Sequence, residues 1–303
     1  MSSRPFAQID VFTTVATLGN PVAVVLDGAG LDDAAMQRFA RWTNLSETTF
    51  VLPPTDATAD YRLRIFTPGG ELPFAGHPTL GSCFAWLAAG GKPKAAQQVV
   101  QQCAKGLVTI RREQVAGRER LAFAAPSMKA SSPSPTELAQ VAAALGVSAV
   151  QVRQAQWLDN GPQWLGLWLD SADTVLALEP NHARLADLGK KVGLAGIYPA
   201  PEATPLIAKS SREARAFGAA PDAPLIEVRA FAAAMGVNED PVTGSLNAAL
   251  AQWLIPAHLA PHSYVVSQGT ALGRAGRVHV DQEGAQTWIG AQAVTCMRVE
   301  VRL

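Results

Sequence analysis

Glu71-Leu72-Pro73-Phe74-Ala75-Gly76-His77-Pro78-Thr79-Leu80-Gly81-Ser82 leaves an alternating strand and enters an apolar helix. Far downstream, Glu239-Asp240-Pro241-Val242-Thr243-Gly244-Ser245 repeats its punctuation, so that His77-Pro78-x-x-Gly81-Ser82 aligns with Asp240-Pro241-x-x-Gly244-Ser245 at a constant offset of 163 residues. The preceding segments begin alike, Arg64-Ile65-Phe66 and Arg229-Ala230-Phe231, and both copies run into helices of small and apolar residues, Thr79 to Ala89 and Leu246 to Leu254. The two halves read as copies of one plan. Both prolines suit a first helical turn, where a missing N–H breaks no intrahelical bond. Each helix start would then offer unpartnered backbone N–H groups, which together with the helix dipole attract an anion. Two such starts facing one another would hold a small carboxylate between the halves.

At 303 residues the chain exceeds the usual single core, and two domains are expected. The division falls at residues 1–126 and 127–303, with the last strand available to pair back onto the first lobe. Charged residues make up 17% and the formal net charge is zero, so nothing attracts nucleic-acid phosphates or an anionic membrane surface. Met1-Ser2-Ser3-Arg4-Pro5 has no apolar signal core and no run is long enough to span a bilayer, which makes a cytoplasmic location the expectation. Cys83, Cys103 and Cys296 are an odd number without C-x-x-C spacing, and His182, His258, His262 and His279 lack metal-ligand spacing. Neither a disulfide framework nor a metal site is expected.

Periodicity places the other elements. Ala7 to Phe12 and Val22 to Leu26 are strands joined through Gly19-Asn20-Pro21. Asp32 caps a helix whose core stripe is Met36, Phe39, Ala40 and Thr43. Leu45-Ser46-Glu47-Thr48 then carries a lone carboxylate into a β-rich run. No formally charged side chain lies between Glu71 and Lys92 apart from a possible His77 cation, so the intervening helix has no solvent face and should be central. Strands follow at Gln98 to Cys103, Leu107 to Arg112 and Leu121 to Ala125, and Pro126 to Pro135 reads as a linker. Ser134-Pro135-Thr136-Glu137 has capping-box spacing. Beyond it, strands are expected at Val152 to Leu158, Gln163 to Leu169, Pro205 to Lys209, Ile226 to Phe231 and Tyr264 to Ser267, a helix at Ala183 to Val192, and a glycine-rich turn at Gln268 to Gly276.

Taken together, Gly19-Asn20-Pro21, Leu45-Ser46-Glu47-Thr48, Pro73 to Thr79, Glu239 to Ser245, and Gln268-Gly269 with Gly273-Arg274 resemble the PhzF-like phenazine biosynthesis isomerases, relatives of diaminopimelate epimerase. The resemblance spans nearly the whole chain. It implies an α+β fold of two pseudo-symmetric domains, each a curved mixed sheet around a central helix, with the active site in the cleft between them. It also implies no metal or organic cofactor, and a homodimer. The family's acid/base glutamate falls on Glu47, its histidine on His77, its aspartate on Asp240 and its serine on Ser245, with Gly76, Thr243 and Gly244 beside the ligand. Cys83 falls inside the helix, so the two-thiol chemistry of the related racemases is not expected.

A carboxylate flanked by Leu45 and Phe50 and enclosed by two lobes would lose hydration, and its pKa would rise. Such a Glu47 could take a proton from a carbon acidified by a neighbouring carboxylate or diene and return one elsewhere, moving a double bond. Two other functions fit the same residues. Ser245, His77 and Asp240 could form a hydrolase triad, although Ser245 lacks the G-x-S-x-G elbow. Alternatively the chain could bind a small carboxylate without turnover.

Overall fold

The computed structural model describes residues 2–115, 117–199 and 223–303. The expected strand at Pro205 to Lys209 lies outside them.

The duplication is written in the strand pairings. In the first half, Ser3–Val11 pairs antiparallel with Asn20–Val25, which runs parallel to Thr48–Leu52, which is antiparallel to Tyr61–Thr67. Tyr61–Thr67 in turn runs parallel to Gln98–Cys103, and Gly106–Val115 and Arg118–Ala124 follow antiparallel. The second half repeats this order of directions through Val152–Asp159, Gln163–Leu169, Lys191–Ile197, Ile226–Ala232, Ser263–Gln268, Gly276–Glu283 and Gln286–Ala291. Each half ends by handing a strand to the other. Lys129–Ser131 pairs with Val152–Asp159, and Ala293–Arg302 pairs along the whole of Ser3–Val11, from Ser3↔Arg302 to Val11↔Ala293. Arg118–Ala124 and Gln286–Ala291 also pair, so the strands among the described residues form one continuous 18-stranded sheet. The segment read as a linker therefore contains a short strand, because its exposed backbone between two prolines finds a partner in the next lobe's first strand.

Each lobe curls around one uncharged helix, Gly76–Ala88 or Gly244–Leu254. Both are buried almost all round, as a helix without a polar face must be. Gly81 lets the first one settle onto its sheet: a Cβ there would meet Val22 at 2.4 Å and Val11 at 2.9 Å. Other helices cover the outer faces. Asp33–Thr43 is capped by Asp32, which accepts from the Ala35 N–H, and lays Met36, Phe39 and Ala40 against Phe50 and Phe66. Pro135–Leu145 starts with both bonds of the Ser134–Glu137 capping box and packs Val141, Ala144 and Leu145 into the equivalent outer core of the second lobe.

Two expectations are corrected. The helix read at Ala183 to Val192 is one short piece, His182–Asp187, followed by Gly189 at φ 66° and a strand from Lys191. The apolar residues from Val192 on serve that strand instead. The second correction concerns the repeat itself. Pro78 does lie in the first turn of its helix, but Pro241 lies ahead of the Thr243 N-cap of Gly244–Leu254. The residues that meet in space are Gly76 and Gly244, which aligns Glu71-Leu72-Pro73-Phe74-Ala75-Gly76 with Glu239-Asp240-Pro241-Val242-Thr243-Gly244. The matching glutamates confirm this register. Arg64 donates to both carboxylate oxygens of Glu71 (2.7 and 2.6 Å), and Arg229 to both of Glu239 (3.0 and 2.8 Å). Each guanidinium lies over the phenylalanine two residues on, Phe66 at 5.0 Å and Phe231 at 5.2 Å.

Candidate active site

The two central helices meet start to start. A Cβ on Gly244 would stand 3.4 Å from the Gly76 Cα and 3.4 Å from the His77 backbone nitrogen, and one on Gly76 would strike Phe123 at 2.7 Å. Side chains at these positions would hold the lobes apart, so glycine at both is what brings the unpartnered N–H groups of the two first turns together. Neither N-cap, Ala75 or Thr243, satisfies those groups with a side-chain bond.

Beside this junction sit three of the residues expected to be functional. Glu47 precedes Thr48–Leu52, and its side chain retains 17% exposure. Its Oε2 is buried without a hydrogen-bond partner and lies 3.5 Å from His77 Nδ1, a long contact. The other ring nitrogen, Nε2, faces the Pro21 carbonyl oxygen at 3.4 Å. Burial pulls the His77 pKa down, against the opposing charges of Asp240 and Asp10. A neutral ring donating through Nε2 to Pro21 leaves Nδ1 as an acceptor toward Glu47. Burial pushes the Glu47 carboxyl up, opposed by Ser46 and by the charge of Lys191. Whenever Glu47 carries a proton, it and a neutral His77 fit together as donor and acceptor.

Asp240 is held from both lobes. Asn20 Nδ2 donates to its Oδ1 at 3.0 Å and to the Val242 carbonyl at 2.9 Å, while Thr243 Oγ1 donates to its Oδ2 at 2.6 Å. Burial raises its pKa to about 6, with the Glu47 charge adding to the rise and Thr243, His77 and Asn20 opposing it. Gln268 fixes the same corner: its amide donates to the Asp240 carbonyl and to Thr243 Oγ1, and its Oε1 accepts from the Thr243 N–H and from Asn247. Thr243 thus spends its hydroxyl and N–H inside the protein. Ser245 bonds to partners of its own. Its Oγ accepts from the Trp164 indole at 3.2 Å, and its carbonyl accepts from Asn160 at 2.8 Å.

Asn20, Gln268, Trp164, Asn160 and Lys191 were not singled out as site residues by sequence reasoning. The first two lie in Gly19-Asn20-Pro21 and Gln268-Gly269, where their polar amides are the available signal. Trp164, Asn160 and Lys191 carry no local signal at all. Cys83 and Cys103 are buried, and burial pushes both thiols up. No group of three or more His, Cys, Asp or Glu side chains among the described residues is arranged to hold a metal ion, and no helix among them is long and apolar enough to cross a membrane.

Two like lobes whose central helices converge beside buried acids define the diaminopimelate-epimerase-like class of fold. The chain belongs to the phenazine biosynthesis-like PhzC-PhzF family, whose profile matches residues 9–299. It is 38% identical to antisense-enhancing sequence 1 of Schizosaccharomyces pombe across 98% of both chains. It is 33% identical to trans-2,3-dihydro-3-hydroxyanthranilate isomerase of Pseudomonas aeruginosa, covering 96% of this chain and 94% of that one. The crystal structure of a Bacillus anthracis PhzF-family protein superposes over 100% of both chains with a TM-score of 0.82 at 21% identity, which shows the shared fold. By family the chain is an isomerase.

Proposed function

We propose that the chain moves a proton, and with it a double bond, on a small carboxylate held between its lobes, with Glu47 as the proton carrier. The observation that carries this is the Glu47 carboxyl itself, unpartnered at Oε2 beside the joined helix starts and 3.5 Å from His77. The ligand's carboxylate lies against the free amides at Gly76, His77, Gly244 and Ser245, where aligned dipoles stabilise negative charge. Ionised Glu47 removes a proton from a carbon acidified by that carboxylate or by an adjoining double bond. The electron pair shifts into the conjugated system, and the proton is returned at its far carbon. Nothing is oxidised or reduced and no other reactant is needed. His77, neutral and fixed through Pro21, accepts from Glu47 while it carries the proton. Asp240 shares the low-hydration site, and Thr243 and Gln268 hold it in place.

Ser245 does not take a nucleophile's part in this scheme, because its Oγ faces the Trp164 indole, a donor only, while His77 turns its nitrogens to Glu47 and Pro21. The test is a panel of small unsaturated and amino-carboxylic acids incubated with the protein in deuterium oxide. Deuterium entering a carbon position of a ligand supports the isomerase chemistry. Binding without any exchange across the panel would leave a carboxylate-binding protein.

A pH experiment isolates Asp240. Its folded pKa, about 6, lies above the roughly 3.9 of an unfolded Asp. The folded state therefore binds the extra proton, and this contribution is complete below about pH 4 and lost as pH rises through about 6. His77, shifted down, acts with the opposite sign, so the comparison must be with a variant. Relative to the wild type, Asp240→Asn should gain stability between pH 4 and pH 7 by on the order of 3 kcal/mol. Urea unfolding at the two pH values measures it, and a constant difference between the proteins would contradict the buried, protonation-prone Asp240.

A further inference from the structure

The register of the duplicated sheets shows which residue of the second lobe is the counterpart of Glu47. In the first lobe Arg64 pairs with Phe50, and in the second Arg229 pairs with Leu194. Since the two arginines are equivalent by their glutamate and phenylalanine partners, Phe50 matches Leu194. Three residues earlier stand Glu47, just ahead of its strand, and Lys191, the first residue of its own. Where one lobe carries an acid, the other carries a lysine.

The placement of Lys191 is that of a contact residue. Lys190, one position before it, is spent on the other side, where its Nζ donates to Glu137 at 2.8 Å and lies over the Trp157 ring. Lys191 is half-buried and pairs in register with Trp164, its Nζ 5.6 Å from the centre of that indole. The same indole donates to Ser245 Oγ at the start of the second central helix. No hydrogen-bond acceptor among the described residues holds the Lys191 ammonium; burial pulls its pKa down, and the charges of Glu47 and Asp240 oppose that, while its own charge is felt at Glu47. A cation resting on an aromatic face, with no acceptor among the described residues and within electrostatic reach of two acids, is poised for an anion from outside the chain.

We infer that Lys191 contacts the substrate from the side opposite Glu47 and selects ligands bearing a second acidic group, so that the preferred substrate class is an unsaturated dicarboxylate. This rests on the carboxylate site proposed above: one carboxylate goes to the helix starts and the other to Lys191. An ammonium there also offsets the negative charge that builds on the ligand as Glu47 removes its proton. Conversely, it disfavours ligands that carry a cation on that side.

trans-Glutaconate and trans-3-pentenoate differ only by a carboxylate in place of a methyl group, and both have an acidic methylene. Their affinities would be measured by calorimetry with the full chain, its Lys191→Gln variant and its Lys191→Arg variant, each first checked for an unchanged melting temperature. A charge-assisted hydrogen bond predicts that the wild type prefers glutaconate by about tenfold or more. Lys191→Gln should lose that preference while keeping its affinity for pentenoate, and Lys191→Arg should retain most of it. Pentenoate binding with no gain for glutaconate, or a preference that survives in Lys191→Gln, would overturn the role of Lys191 and leave the carboxylate site standing. If neither acid binds, the carboxylate site is itself wrong and Lys191 falls with it.

Discussion

Replacing Glu47 with Gln should lower solvent-deuterium exchange into a bound ligand by roughly 10²–10⁴-fold, the usual worth of a positioned acid/base group. The amide keeps the size and shape of the side chain but cannot accept the substrate's proton, so binding should change little while exchange collapses. Stability gives an independent check. The buried Oε2 has no partner and burial already raises the carboxyl's pKa, so removing the ionisable group should leave the fold as stable as the wild type or more so at neutral pH. Proton NMR of the ligand in deuterium oxide, beside a thermal melt of the same sample, reads both effects. Equal exchange in the two proteins would remove Glu47 from the chemistry whatever its position.

The second large effect concerns the pair that sets the repeat. Arg229→Met should destabilise the chain by about 3–5 kcal/mol, because it leaves Glu239 buried and uncompensated. The side chains of Arg229 and Glu239 are only 5% and 6% exposed. Arg229 also donates to the carbonyls of Val175 and Leu178, which would lose their partner. Arg64→Met removes the same bidentate contact in the first lobe, but there the partner side chains, Glu71 and Asp33, are 35% and 83% exposed. Exposed pairs of that kind contribute about 0–1 kcal/mol. Urea unfolding of both variants should show the asymmetry, and the double variant Arg229→Met/Glu239→Leu should recover much of the loss. Equal destabilisation at the two positions would mean that burial does not set the difference. Glu239 adjoins Asp240, so the variant should also loosen the acid corner of the site.

Much of this architecture was legible because local chemistry determines it. The uncharged stretch after Glu71 had to become a central helix, and the Asp32 and Ser134 caps form the bonds their spacing allows. The register of the duplication was harder to read. His77-Pro78 and Asp240-Pro241 share punctuation with the residues around them, but proline tolerates both a first helical turn and the approach to one, so the match did not fix equivalence. Glu71 and Glu239 do fix it, since each reaches an arginine on the neighbouring strand of its own hairpin, a constraint that exists only once the strands pair. Lys191 was invisible for the same reason. Its relation to Glu47 runs through cross-strand partners, Phe50 with Arg64 and Leu194 with Arg229, and nothing in the residues around Lys190-Lys191 separates the lysine that meets Glu137 from the one that turns to the cleft.

Everything in the chemistry depends on a ligand carboxylate lying where the two central helices meet. A crystal structure of the chain with trans-3-pentenoate tests this most directly. A carboxylate oxygen should lie within about 3 Å of backbone nitrogens from both helix starts, at Gly76 or His77 and at Gly244 or Ser245, with the ligand's methylene carbon facing Glu47. An acid bound away from that junction, or one whose methylene faces away from Glu47, would contradict it.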